Sequence, residues 1–140
     1  MKIAIGTDHR GFAHKEYIKK QCRQYEWADV GAYDDQRSDY PIYARQVVDL
    51  LLSGEVDYGV LLCSTGIGMA IAANRYTSIY AAVVWNEDIA RQATMEDNMN
   101  VLVLPSDCVC LEQSVAIIKV WLSTSFKGGR YAERLAMIDK

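Results

Sequence analysis

The run Tyr58-Gly59-Val60-Leu61-Leu62-Cys63 constrains the fold of this chain more than any other feature. It is continuously apolar and passes straight into Ser64-Thr65-Gly66-Ile67-Gly68. A short unbroken apolar run that ends in a glycine turn reads as a strand buried on both faces, as in a parallel sheet. Ile79–Val84 and Val101–Leu104 are further runs of this kind, and Lys2–Gly6 and Trp27–Val30 supply two shorter strands. Helical segments lie between them. Gly11–Tyr25 carries charges with an apolar stripe at Ile18, Cys22 and Tyr25. Asp39-Tyr40-Pro41 opens a segment that runs to Leu52, with proline suited to the first helical turn, and Ser53-Gly54 closes it. Met69–Asn74 is a helix of small residues, and Asn86-Glu87-Asp88 gives a cap and an acidic first turn to the next. Leu111, Val115, Ile118 and Leu122 share one helical face, and Tyr131, Leu135 and Ile138 share another near the C-terminus. Strands interleaved with helices predict an α/β fold: a three-layer, doubly wound, Rossmann-like sandwich around a five-stranded parallel sheet. Ligands of such sheets bind beyond the carboxyl ends of the strands, near the switch in strand order.

At 140 residues the chain is the size of one domain, read here as 1–140. A net charge of −3 leaves no basic footprint for nucleic acid. No apolar run approaches the roughly 20 residues of a membrane span. The opening Met1-Lys2-Ile3-Ala4-Ile5-Gly6 is too short for a signal peptide and reads as a strand. Cys22, Cys63, Cys108 and Cys110 form no disulfide framework, and their spacing matches no zinc site. Reduced thiols of a cytoplasmic protein are the simplest reading.

Two strand ends carry groups capable of chemistry. The first ends in Gly6-Thr7-Asp8-His9-Arg10-Gly11, an acid, an imidazole and a guanidinium in succession. Asp8 is either a helix cap or a site acid. The third ends in Cys63-Ser64-Thr65-Gly66-Ile67-Gly68, whose glycines allow a sharp turn and close approach to main-chain N–H groups. A phosphate or a developing enediolate oxygen suits such amides at the start of a helix. Cys63 itself has two readings, a buried structural thiol or a base whose pKa the helix start lowers toward neutrality. Cys108 and Cys110 read as structural, and His14 as a surface residue of a charged helix. Near the C-terminus, Arg130 and Arg134 stand four apart after Gly128-Gly129, so both guanidiniums share a helix face and suit a phosphate. The same spacing also fits an ordinary solvated face.

Taken together, these segments resemble the type B ribose-5-phosphate isomerase and galactose-6-phosphate isomerase family nearly end to end. Gly6-Thr7-Asp8-His9-Arg10-Gly11-Phe12 resembles the family's Gly-x-Asp-His-x-Gly-Phe, and Arg37-Ser38-Asp39-Tyr40-Pro41 its Arg-x-Asp-Tyr-Pro. Cys63-Ser64-Thr65-Gly66-Ile67-Gly68 with Ala72-Ala73-Asn74-Arg75 is similar to its Cys-Gly-Thr-Gly-Ile-Gly and Ala-Ala-Asn-Lys, and Gly128-Gly129-Arg130 with Arg134 to its Gly-Gly-Arg-His-x-x-Arg. The resemblance implies an aldose–ketose isomerase that works through a cis-enediolate on a sugar phosphate, foremost ribose 5-phosphate, without metal or cofactor. It implies that Cys63 shuttles the proton between C1 and C2. Thr65 and the backbone amides of Gly66, Ile67 and Gly68 would stabilise the enediolate, and Ser64 would contact the substrate. Asp8 and Tyr40 would contact the sugar, and His9, Arg130 and Arg134 the phosphate. It also implies a homodimer or tetramer with shared active sites, the helix at about 129–139 packing on a partner subunit.

Three positions depart from the family pattern. Its His-Asn pair, whose histidine opens the sugar ring, falls on Glu96-Asp97; a basic residue after the fifth strand falls on Asp107; the histidine after Gly-Gly-Arg is Tyr131. These changes touch ring opening and phosphate binding and leave the Cys63 loop intact. Besides a pentose phosphate isomerase, the sequence therefore accommodates an isomerase of another sugar phosphate, tetrose or hexose. It also accommodates a catalytically weakened subunit or sugar-phosphate binding protein.

Overall fold

The computed structural model describes residues 1–139. Over that range the chain runs β1 (Lys2–Thr7), a 3-10 turn (His9–Gly11), α1 (Phe12–Gln21), β2 (Glu26–Gly31), α2 (Tyr40–Leu52), β3 (Tyr58–Cys63) and α3 (Ile67–Ala73). It continues through β4 (Ala81–Val83), α4 (Glu87–Asp97), β5 (Val101–Pro105), α5 (Leu111–Leu122) and α6 (Arg130–Ile138). The strands form one parallel sheet in the order β2-β1-β3-β5-β4. From β1 the chain first steps outward to β2 and then crosses back to place β3 on the other side of β1, so the order reverses between β1 and β3. The carboxyl ends of those two strands are Thr7-Asp8 and Cys63-Ser64, the segments that carry the candidate chemistry.

The period-two alternation of the strands divides the apolar side chains between two cores. Ile3, Ile5, Val60, Leu62, Leu102 and Leu104 pack with Ile18 of α1, Ala90 of α4 and Ile117, Ile118 and Trp121 of α5. Ala4, Leu61, Cys63, Val101 and Val103 face the other way, onto Val47 and Val48 of α2 and Met69 and Ala73 of α3. These three layers are the expected sandwich. A full slot on either face explains why β1, β3 and β5 read as unbroken apolar runs: nearly every residue in them is buried.

Several local expectations are corrected. The fourth strand is three residues long, and it is only half-buried because it lies at a sheet edge with a partner on one side alone. The short helix after the glycine turn starts at Ile67, not Met69. In α5 the face against the sheet is Ser114, Ile117, Ile118 and Trp121, whereas Leu111, Val115 and Leu122 are half-buried. The helix is apolar most of the way round, and a stripe could be drawn on more than one face. In α6 only Leu135 is buried, and Ile138 stays exposed. His14 is half-buried, its Nε2 2.8 Å from the Val109 carbonyl. Cys108 and Cys110 are exposed, and Cys110 has a structural part only as the N-cap of α5, its sulfur accepting from the Gln113 amide.

The sequence did not disclose a buried ion cluster. Lys15, with no exposed surface, places Nζ 2.6 Å from Asp29 Oδ2 and 3.1 Å from Glu16. Lys19 reaches the same Asp29 oxygen at 2.6 Å, and Asp29 Oδ1 accepts the Gly31 amide at 2.9 Å. The rings of Phe12 and Tyr33 lie 5.5 and 5.4 Å from the Lys15 ammonium. The cluster ties α1 to β2 and fixes the start of the loop that leads to Tyr40.

Candidate active site

Cys63 ends β3 opposite Pro105 of β5, and Thr7 of β1 pairs with Leu62, so Asp8 emerges beside Cys63. Asp8 is buried and its Oδ1 accepts the Arg10 amide at 2.9 Å. The two readings of Asp8 are thus compatible, since it caps the 3-10 turn and still stands at the strand end. After Cys63 the backbone reverses at Gly66, where φ is +77° and a Cβ would press on Val83 and Val103 at 3.1 Å. The ring of Tyr40, at the start of α2, covers Gly68, and a Cβ there would lie 2.7 Å from its Cζ. Glycine at 68 is what lets the Tyr40 ring reach the turn. His9 accepts the Ser38 amide on Nδ1 at 3.3 Å. The Ser38 hydroxyl is buried with no partner among the described residues, an unsatisfied polar atom next to the imidazole. Ser106 completes the edge, its amide and hydroxyl both bonded to the Cys63 carbonyl, at 2.9 and 3.1 Å. Neither Ser38 nor Ser106 was singled out by sequence reasoning; Ser38 lies inside the Arg37–Pro41 segment, which was its one available signal.

The amides of the turn are shared out. Gly66 N–H donates to Cys63 Sγ at 3.2 Å, and Ile67 N–H to Thr65 Oγ1 at 3.2 Å. That division leaves Gly68 as the turn amide that neither Cys63 nor Thr65 engages. Burial pushes the Cys63 thiol up, against the Met69 and Gly66 amides that favour thiolate; the Asp8 carboxylate raises it further and the Thr65 amide opposes. The net direction is upward, as the buried-thiol reading of Cys63 expects and against a lowering by the helix start. At 5% exposure, loss of water outweighs three backbone dipoles.

The remaining candidates lie elsewhere. In a parallel sheet each returning helix ends where the next strand begins, and α4 delivers Glu96 and Asp97 to the start of β5. There Asn100 bonds the Tyr80 backbone, and the Lys127 amide bonds the Met95 carbonyl, placing α6 on the same edge. Glu96 is half-buried and its charge acts on Arg130. Asp97 lines a groove of about 480 Å³ with Tyr80, Leu135, Ile138 and Asp139. That edge is one strand length from Cys63, about 15 Å at the rise of a parallel strand. One chain therefore brings together Asp8, His9, Tyr40, Cys63, Ser64, Thr65 and the glycine turn, and holds Glu96, Asp97, Arg130 and Arg134 apart from them. Asp107 is on the Cys63 edge, exposed, with its amide bonded to the Ser64 carbonyl at 2.9 Å.

The fold and site define a doubly wound α/β protein with a cysteine and a glycine turn at its topological switch point. The chain belongs to the ribose/galactose isomerase family, whose profile matches residues 3–138. It is 40% identical to ribose-5-phosphate isomerase B of Escherichia coli over 139 residues, 98% of this chain and 93% of that protein. The crystal structure of a ribose 5-phosphate isomerase of Thermotoga maritima superimposes with a TM-score of 0.97 at 46% identity, covering 99% and 97% of the two chains. Ribose-5-phosphate isomerase B of Mycoplasma genitalium, solved with bound ribulose-5-phosphate, gives 0.90 at 35% identity, covering 98% and 93%.

Proposed function

We propose that this chain isomerises ribose 5-phosphate and ribulose 5-phosphate through a cis-enediolate. The observation that carries the reading is the Cys63 turn: a sulfur at a strand end, backed by main-chain amides, with the Asp8 carboxylate beside it. Cys63 as thiolate takes the proton from C2 and returns it to C1, while a hydroxyl proton passes from O2 to O1. Thr65 and the Gly68 amide stabilise the oxyanion that develops between these steps. Asp8 and Tyr40 hold the sugar hydroxyls, and the unsatisfied Ser38 hydroxyl beside His9 supplies a further polar contact.

The site is completed in a dimer. Arg130 and Arg134, for the phosphate, Glu96, for opening the sugar ring, and Asp97, for binding the sugar, come from a second copy. The support is the strand length that separates them from Cys63 in one chain, together with exposed apolar residues at both edges. Ile42, Ile67 and Ile71 are more than half exposed around the Cys63 turn, and Met137 and Ile138 are 72% and 71% exposed on α6. These suit the packing of the 129–139 helix on a partner subunit. Among the described residues no helix is long and apolar enough to cross a membrane, and all four thiols are free, in keeping with a cytoplasmic enzyme.

Asp107 favours one second reading, since it puts an anion on the Cys63 edge where a phosphate would be repelled if it came close. A sugar phosphate of different length or ring form would place that phosphate differently. A coupled assay of the purified protein on tetrose, pentose and hexose phosphates separates the two. Turnover of ribose 5-phosphate well above the rest is expected. A stronger response to another sugar phosphate would replace the substrate, and silence across the panel would overturn the isomerase reading.

A further inference from the structure

Tyr131, in the first turn of α6, is the meeting point of three cations. Lys127 Nζ lies 5.7 Å from the ring centroid, Arg130 Cζ 5.1 Å and Arg134 Cζ 5.6 Å. An Arg130 Nη2 proton is donated to the Tyr131 hydroxyl at 3.2 Å. All three distances are within the reach of a cation–π contact. The gathering is built into the backbone. The Lys127 amide is fixed to the Met95 carbonyl at 3.0 Å, and Gly128 and Gly129, at φ +67° and +58°, turn the chain back into α6. That turn sets Lys127 against the ring of a residue four positions on, although Lys127 lies outside the helix.

Like charges this close repel, and the chain as a whole is acidic at −3, so nothing in its average composition favours such a cluster. Among the described residues none of the three cations makes an ion pair within 4.0 Å. A ring quadrupole holds cations without neutralising them and leaves their N–H donors open to an anion. A phosphate monoester carries close to two negative charges at neutral pH and has three acceptor oxygens. Two guanidiniums and an ammonium match that number of oxygens and exceed the charge by one. The excess would offset Asp107, which brings a negative charge to the opposite edge of the site in a dimer.

We infer that Lys127 is a third phosphate-binding cation, and that the Tyr131 ring is the platform that gathers it with Arg130 and Arg134. The inference rests on the reading of a phosphorylated substrate, and it assigns to Lys127 and Tyr131 a part in substrate affinity.

The test uses the full chain and measures kcat and KM for ribose 5-phosphate and the inhibition constant of inorganic phosphate. Lys127→Ala is expected to raise KM and the phosphate constant about five- to tenfold, the scale of one charge-assisted hydrogen bond, with kcat falling less than twofold. Lys20→Ala removes an equal charge from the exposed end of α1 and is expected to move neither constant. Tyr131→Phe, which keeps the ring, should stay within about twofold, whereas Tyr131→Leu should lose about as much as Lys127→Ala. Wild-type constants in Lys127→Ala, or an equal rise in Lys20→Ala, would overturn the inference while the isomerase reading stands. If the wild type does not turn over ribose 5-phosphate, that reading fails on its own. Calorimetric titration with inorganic phosphate then decides the role of Lys127 by the same ratio between variants.

Discussion

At the strand-end edge, Cys63, Asp8 and Gly66 are buried, and each is fixed by the backbone: Cys63 by the Gly66 amide and by Ser106, Asp8 by the Arg10 amide, Gly66 by its left-handed turn. At the strand-start edge, Lys127, Arg130 and Arg134 are exposed and meet at the Tyr131 side chain. In the proposed reaction the two edges would have different tasks. A group that takes a proton from carbon must be placed to a fraction of an ångström and kept from water, so it grows from the ends of central strands. Groups that hold a phosphate work as point charges and forks over a wider range of positions, so a terminal helix can carry them. In this reading the chemistry is built into the sheet and the affinity is brought to it by a neighbour.

The largest effect expected is from the strand-end edge. Cys63→Ala should lower kcat by about 10²–10⁴-fold, the range of a lost general base, with little change in KM. Arg134→Ala should act mainly on KM. If the two edges meet across a dimer interface, an equal mixture of Cys63→Ala and Arg134→Ala chains, unfolded and refolded together, contains hybrid dimers with one intact site. Such a mixture should recover about a quarter of wild-type activity at subsaturating substrate. Activity in the mixture no higher than the mean of the two variants would break the comparison, by showing that each site is built within one chain.

Much of the strand-end edge was legible in the sequence, and the reason is local. β3 was read to its residue limits because a strand buried on both faces leaves an unbroken apolar run, and the turn after it could be read because sharp reversal requires glycine. The position of Glu96 was legible as well, in principle: a crossover helix in a parallel sheet has to finish at the start of the next strand. What could not be read was long-range. Burial raises the Cys63 thiol by an amount that depends on α2 and α3 covering it, and no local pattern reports that. Lys15 stands 14 residues from Asp29 in a helix that otherwise looks solvated, so its complete burial has no signature in sequence spacing. The limits of β4 are equally hidden, since Ile79, Tyr80 and Val84 outside it are as apolar as the strand they flank.

The Lys15–Asp29 cluster gives the next effect in size, on stability. Burial pushes the Asp29 carboxyl up, but hydrogen bonds from Lys15, Lys19 and the Gly31 amide outweigh it and hold the group below the usual carboxylate range. A carboxylate so depressed binds its proton at lower pH in the folded chain than in the unfolded one. Its stabilisation is therefore complete above about pH 4, the unfolded value, and is lost as the pH falls through the lower folded value. Asp29→Ala at neutral pH leaves Lys15 buried without its nearest counter-ion and should cost about 3–5 kcal/mol in urea unfolding. Lys127→Ala, at the exposed edge, should leave the midpoint unchanged. A loss below about 1 kcal/mol for Asp29→Ala would mean that Lys15 reaches water when its partner is gone, and that the strand-end edge is less rigidly supported than its burial indicates.

The smallest effect expected is a shift along the pH axis, and it tests what sets the reactivity of the buried thiol. Burial is the first cause of the raised Cys63 value, and the Asp8 carboxylate adds to it against the backbone amides. Asp8→Asn removes the charge yet keeps an oxygen to cap the Arg10 amide, so the turn should persist. The thiol should then ionise more readily. The rate of iodoacetamide alkylation, followed against pH in a Cys108→Ser, Cys110→Ser background, should keep its shape and move to lower pH. Cys22 does not confuse the measurement, being fully buried and itself raised by burial. A limb that stays in place would leave burial as the sole cause, and a limb that moves upward would contradict the sign of the interaction. A downward shift has a consequence for turnover as well. If Asp8 keeps Cys63 protonated until a substrate arrives, then losing the charge should raise reactivity toward the alkylating agent while lowering kcat/KM. The same carboxylate would be restraining the free thiol and holding the sugar.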